Sequence, residues 1–140
     1  RKLRPGALDN LGLSETIRDA VSNWQKQHEN LNFLLIIKGE INDLGEEINI
    51  NIYRIIQESM NNALKHSKAS EIKIDLSLLK KSLKLEFSDN GVGFDKKILK
   101  NSKQFGLIGM KERVQSLKGT FDLRTSPSKG TRLIILIPRR

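Results

Sequence analysis

Residues 57–66, QESMNNALKH, crowd a carboxylate, two asparagine amides and a lysine into one short stretch. Glu58 and Asn62 lie four residues apart and share a helix face, and Asn61 and Lys65 form a second such pair beside them. A carboxylate and an amide one turn apart can hold a divalent ion and its waters against phosphate, because magnesium takes hard oxygen ligands and keeps several waters. In that chemistry Asn62 is the candidate metal ligand. Glu58 orients or deprotonates a water or phosphoacceptor, and Lys65 meets phosphate charge. The same residues also suit a solvated helix face making ordinary surface bonds.

Two glycine groups bear on the choice. DNGVGFD starts at Asp89, directly after an alternating apolar run. A carboxylate at a strand end, followed by Gly91 and Gly93, suggests an acceptor held over a tightly bent chain, although a plain Asp-Asn-Gly turn has the same composition. The third glycine and strand–turn–helix unit of a dinucleotide fingerprint are missing, and so is the Gly-x-x-x-x-Gly-Lys-Ser/Thr of a P-loop. Farther on, Gly106 and Gly109 bracket Leu107 and Ile108 at the mouth of a helix. Free backbone N–H groups there suit phosphate oxygens, and a loop followed by its cap is the simpler alternative. A metal ligand, a base-selecting carboxylate and a phosphate cradle are together the parts of a nucleoside triphosphate site without a P-loop.

The elements that must position these groups follow from periodicity. Residues 1–12, punctuated by Pro5-Gly6 and Gly12, read as a connector, and Ser14 as the cap of a helix running to about Gln27. Leu13, Ile17, Val21 and Trp24 recur along it at helical spacing, with Trp24 as a core anchor. NFLLIIKG is a strand closed by glycine. A long helix is expected from about Glu46 to His66, on an apolar side made by Ile52, Ile55, Ile56, Met60, Ala63 and Leu64. Period-two alternation marks strands at 70–79, 83–87, after Phe121 and from Leu133 to Ile137, and GLIGMKERVQSLKG reads as a helix. Residues 95–106 are polar, basic and aperiodic, which makes them the expected mobile segment. Burying each apolar side once gives an α/β, two-layer sandwich: a mixed, mostly antiparallel sheet covered on one face by helices.

Bulk properties narrow the classes. At 140 residues, 37% hydrophobic and 29% charged, the chain suits one soluble domain with a real core. It contains no apolar run long enough for a transmembrane helix and no secretory leader. It opens at Arg1 rather than at an initiator Met, so more protein is expected upstream. Cysteine is absent, and the two histidines, His28 and His66, lie far apart, which excludes disulfides and a structural zinc site. The net charge of +9 draws anions without naming one.

Taken together, these motifs resemble the ATP-binding domain of sensor histidine kinases, in the Bergerat-type fold shared with DNA gyrase B, the heat-shock-90 chaperones and MutL. NIYRIIQESMNNALKHSKAS is similar to the asparagine box, DNGVGFD to the first glycine box, and FGLIGMKERVQSLKGTFDLRTSPSKGTRL to the second glycine box, its helix and the closing Gly-Thr. The LRP…LD.LGL opening and GLIGMKERV resemble the nitrate-sensor class, whose response regulators carry helix-turn-helix outputs. The resemblance covers nearly the whole chain. It implies ATP and Mg2+, with Asn62 as magnesium ligand, Glu58 polarising the reacting centre, and Lys65 and His66 near the phosphates. Asp89 would accept from the adenine amino group, and Gly91 and Gly93 would let the chain pass the base. Gly106 and Gly109 would seat a lid over the phosphates, flanked by Leu107 and Met110, and Thr131 would touch the water network beside adenine. Asn61 is the weaker assignment, because its neighbour already fills the metal position.

By the same resemblance, residues 1–12 connect to an upstream dimerisation domain, 13–140 form the catalytic domain, and the lid covers about 94–106. The expected reaction moves the ATP γ-phosphoryl group to a histidine on that other domain, in a cytoplasmic part of a homodimeric protein that could carry a membrane anchor. The fragment itself is expected to be monomeric, with a response regulator as an indirect partner. His28 is followed by Glu29, as phosphoacceptors are by an acid, but WQKQHENLNF does not resemble a phosphoacceptor helix and the helix is short for a dimer stem. The fragment should therefore lack the phosphoacceptor. Competing classes are an anti-sigma-type serine kinase, a related ATPase with a transducer region, and a basic nucleic-acid-binding module. The last would interleave aromatic with basic residues. Aromatic residues make up only 5% of the chain, so no direct nucleic-acid contact is expected.

Overall fold

The computed structural model describes residues 6–93 and 106–139, with side chains from residue 12 onward. Along the chain run α1 (Gly6–Gln27), β1 (Asn32–Lys38), α2 (Glu46–Asn62) continuing into a π-helical turn (Ala63–Ser67), β2 (Glu71–Leu78), β3 (Ser82–Asp89), α3 (Leu107–Ser116), β4 (Thr120–Thr125) and β5 (Thr131–Pro138). The strands form one sheet in the order β1-β2-β3-β5-β4. β1 and β2 pair in parallel, which requires a crossover, and α2 supplies it. The other pairings are antiparallel. The result is the expected two-layer sandwich with helices on one face.

Alternation in the strands decides what meets the helices. Ile72, Ile74 and Leu76 of β2, Leu83, Leu85 and Phe87 of β3, and Leu133, Ile135 and Ile137 of β5 are buried in the interlayer core. From α2, Ile48, Ile52, Ile55, Ile56 and Met60 meet them at helical spacing. Glu46 and Glu47 sit in the first turn, where the helix dipole favours negative charge. The opposite sheet face carries its charges in rows. The strand registers align Lys73, Ser88, Arg132 and Arg124 in one row, and Asp75, Glu86 and Asp122 in the next, with Ile134 between the last two. Arg132 pairs with Glu86 at 2.7 Å and Arg124 with Asp122 at 3.0 Å, so much of this charge is met within the sheet. The Arg132 guanidinium holds the Glu86 carboxyl below the usual glutamate range.

Three boundaries differ from expectation. Helix α1 starts at Gly6, so residues 6–11 of the stretch read as a connector are helical, and Gly12 breaks the helix with φ 80° and ψ 173°. Ser14 is not the cap. The Asn42 side-chain oxygen, brought from the loop after β1, accepts from both the Ser14 N–H (2.9 Å) and its hydroxyl (3.2 Å). Only the tertiary fold could place that acceptor. Finally, the α-helix expected to reach His66 stops at Asn62 and loosens into the π turn. Ser67 donates to the Ala63 carbonyl at 2.6 Å there, and Lys68 leaves in the left-handed region. Among the described residues no helix is long and apolar enough to cross a membrane.

Candidate functional site

Asp89 ends the inward row Leu83, Leu85, Phe87, so the alternation that builds the core also aims this carboxylate at the helical layer. There it closes a small cavity. Phe87, Leu123 and Leu133 from the sheet form the floor, Ser59, Asn62 and Ala63 from α2 and its π turn form one wall, and Leu107 and Met110 of α3 form another. Thr131, opposite Asp89 in the β3–β5 register, completes the polar end. Its hydroxyl lies 3.0 Å from that of Thr125. Asp89 accepts from the Gly91 N–H at 2.9 Å. Burial raises its pKa above the usual aspartate range, opposed by the backbone N–H groups of Gly91 and Thr131.

A second depression lies beyond Met110. It is polar, about 450 Å³, and bordered by Trp24, Arg54, Gln57, Glu58, Asn61, Gly106, Gly109 and Arg113. Met110 borders both spaces. The face shared by Glu58 and Asn62 is therefore divided, with Glu58 and Asn61 on the groove and Asn62 in the cavity. Lys65 and His66, carried on the π turn, line neither space. Trp24 is half-buried rather than a core anchor alone: it packs on the core and also borders the groove. Arg113 donates to Asn51 at 3.0 Å and ties α3 to α2.

The glycines divide in the same way. Gly91 and Gly93 do not line the cavity. A side chain at Gly91 would collide with the Ser67 carbonyl, which accepts from the Val92 N–H at 2.7 Å. Gly93 has φ 67° and faces the Ser126 and Gly130 carbonyls. Both are needed to pack the loop after β3 between the π turn and the β4–β5 turn. Gly106 takes the left-handed conformation (φ 62°) and lies against the Glu58 carboxyl, where a Cβ would come within 2.6 Å of Cδ. Among the described residues a Cβ at Gly109 would meet nothing within 4 Å, so none of them demands a glycine there. The lid expected over about 94–106 lies outside the described residues except for Gly106.

Ser59, Ala63, Phe87, Leu123 and Leu133 were not anticipated as site residues. Phe87 was findable, since it sits two residues before Asp89 on the same strand face, and Ser59 lies one helical turn before Asn62. Chemically, the lining pairs apolar walls with the Asp89 carboxylate, so it suits an apolar group whose edge carries a hydrogen-bond donor. The Asn62 amide oxygen fits a single protein ligand to magnesium. Among the described residues no group of three or more His, Cys, Asp or Glu forms a metal cage, so the remaining ligands would come from phosphate and water.

A one-sided α/β sandwich with this slot between sheet and helices has the architecture of a Bergerat-type fold. The chain belongs to the histidine kinase-, DNA gyrase B- and HSP90-like ATPase family, whose model matches residues 47–140. It is related to the ATP-binding domains of sensor histidine kinases. The signal transduction histidine-protein kinase/phosphatase DegS of Brevibacillus brevis is 41% identical over 138 residues, which cover 97% of this chain and 35% of that protein. The oxygen sensor histidine kinase NreB of Staphylococcus carnosus is 30% identical over 98% of this chain and 39% of its own length. The chain thus spans about a third of the length of these relatives. Among solved structures, the ATP-binding domain of PrrB from Mycobacterium tuberculosis superposes with a TM-score of 0.72 at 18% identity, covering 93% of this chain and 96% of that one. The histidine kinase domain of the Erythrobacter litoralis EL346 blue-light-activated kinase gives 0.74 at 18% identity, over 91% of this chain and 61% of that one. At such identities the superpositions speak for the fold.

Proposed function

We propose that this chain is the ATP-binding catalytic domain of a two-component sensor histidine kinase of the nitrate-sensor-like class, with residues 13–140 as the catalytic unit. The observation that carries the reading is Asp89, a carboxylate at the polar end of an apolar slot whose helical wall holds Asn62. Adenine lies in the slot over Phe87 and Leu133, with its amino group donating to Asp89. Thr131 takes the neighbouring waters. Magnesium, held through Asn62 and the phosphates, supplies neutralisation of phosphate charge.

The phosphates run past Met110 toward the groove, where Gly106 and Gly109 offer backbone N–H groups, and Lys65, with His66 beside it on the π turn after α2, adds positive charge from outside the groove. Glu58 stands where the acceptor histidine must arrive. A phosphorus–nitrogen bond forms to that imidazole as the bond from the γ-phosphorus to the bridging oxygen breaks. ADP leaves with the electron pair, and Glu58 takes the imidazole proton. Positioning and electrostatics supply most of the rate. The acceptor sits on a dimerisation domain of the same homodimeric, cytoplasmic kinase module, and a response regulator with a helix-turn-helix output takes the phosphoryl group from it.

Calorimetry with Mg-ATP on wild type and Asn62→Ala tests the reading, the variant being expected to lose magnesium-dependent binding. Adding the dimerisation domain in trans should then place label from γ-labelled ATP on that domain. Unchanged binding by Asn62→Ala would remove the site assignment. Label staying off a folded acceptor domain, with ATP bound, would remove the kinase role.

A further inference from the structure

Ser59 and Met110 together have properties that the adenine reading leaves unused. Ser59 is 5% exposed, and its hydroxyl has the Met110 sulfur as partner at 3.6 Å. A thioether is a weak acceptor, so this buried hydroxyl has more to gain from a nitrogen or oxygen. It lines the same cavity as Asp89 and Thr131.

That cavity measures about 40 Å³. An engineered cavity of about 150 Å³ takes up benzene. A purine is larger than benzene and enters only when a wall side chain withdraws. Phe87 and Leu133 are held in the sheet and the core. Met110 is the wall with space behind it, because its other side borders the groove of about 450 Å³. Its side chain is unbranched and turns easily between rotamers.

We propose that Met110 is a gate and Ser59 a base-contacting specificity residue. Entry of the purine swings Met110 toward the groove, and the Ser59 hydroxyl exchanges the sulfur for a ring nitrogen of the base. The inference rests on the nucleotide reading of the cavity and deepens it. Asp89 selects the exocyclic amino group, and Ser59 selects an unprotonated ring nitrogen.

Mg-ADP binding to the 140-residue chain, measured by calorimetry, is the test. S59A removes one oxygen from a helix wall and should weaken Mg-ADP about fivefold, the worth of one hydrogen bond. In a series of deaza-ADP analogues, each with one ring nitrogen replaced by CH, one member should bind wild type and S59A alike. M110L nearly conserves volume but removes the acceptor, leaving the Ser59 hydroxyl unpaired in the empty protein. Mg-ADP should then bind more tightly than to wild type, and adding S59A should cancel that gain. Equal Mg-ADP affinity with and without the Ser59 hydroxyl overturns the inference alone. A difference that persists across every deaza analogue also overturns it, by removing the ring-nitrogen contact. A wild-type chain that binds neither Mg-ADP nor Mg-ATP overturns the nucleotide reading itself.

Discussion

The cavity and the groove share Met110 as a wall, yet they are made differently. The cavity is a gap in the core: its floor is three strand residues, and its polarity is concentrated in Asp89, Thr131, Asn62 and Ser59. The groove is bordered by helices and their ends, and most of its lining side chains are polar or charged. A core gap resists rearrangement because close-packed neighbours must move with it. A helix-bordered groove changes shape when one helix shifts. On the proposed reading the cavity holds the base against its fixed sheet floor once Met110 yields, and the groove serves the part of the reaction where groups arrive and leave.

That division can be broken most forcefully at Glu58. Glu58→Gln should lower phosphoryl transfer to the acceptor domain about a hundredfold or more, as expected for loss of a general base, while Mg-ATP affinity is kept. Parallel radiolabel transfer and calorimetry separate the two. A variant that loses affinity instead would merge groove and cavity into one binding surface.

Asp89→Asn should do the reverse on the cavity side, weakening Mg-ATP by about tenfold or more, the loss expected when an acceptor becomes a donor. Its stability should behave oppositely. Burial raises the Asp89 pKa in the folded state, so the folded protein holds that proton more tightly than the unfolded chain. The stability this contributes is complete below the usual aspartate range and is lost as pH rises through the raised folded value. At neutral pH the asparagine variant should therefore melt no lower than wild type, and any advantage should shrink on acidification. Thermal melts across pH check the sign.

The smallest effects distinguish glycines that serve packing from glycines that serve the ligand. Gly91→Ala, colliding with the Ser67 carbonyl, should cost about 1–3 kcal/mol of stability, the usual range for overpacking. Gly109→Ala meets none of the described residues and has a helical setting, so it should gain roughly 0.5 kcal/mol while weakening nucleotide binding. Denaturant melts of both variants measure the contrast, and equal costs would erase it.

The asymmetry between these glycines also shows where reading the chain succeeded and where it stopped. Asp89, Asn62, Leu107, Met110 and Thr131 were identified in the sequence and meet in one cavity, because a strand end, a helix face and a Gly-flanked helix start each leave a local pattern. Gly91 and Gly93 were noticed as a tight bend, but only Gly93 takes a positive φ, and what excludes a side chain at each is contact with Ser67, Ser126 and Gly130, residues distant in the chain. Lys65 and His66 fell on an extrapolated helix that in fact widens into a π turn. Ser59 escaped notice because a small polar residue in an amphipathic helix carries no signal until something buries it.

Periodicity and residue type by themselves determined the order of elements, the inward rows of the strands and the presence of a carboxylate, an amide and paired glycines suited to phosphate. These are local properties, set by 3.6- and 2-residue repeats and by backbone freedom. Only the tertiary structure decided that Met110 would stand between Asn62 and Glu58, that Asn42 would accept from Ser14 just past the break in α1, and that Ser59 would be left with a sulfur for a partner. Each depends on how segments far apart in the chain pack, and packing distances are not written in local spacing.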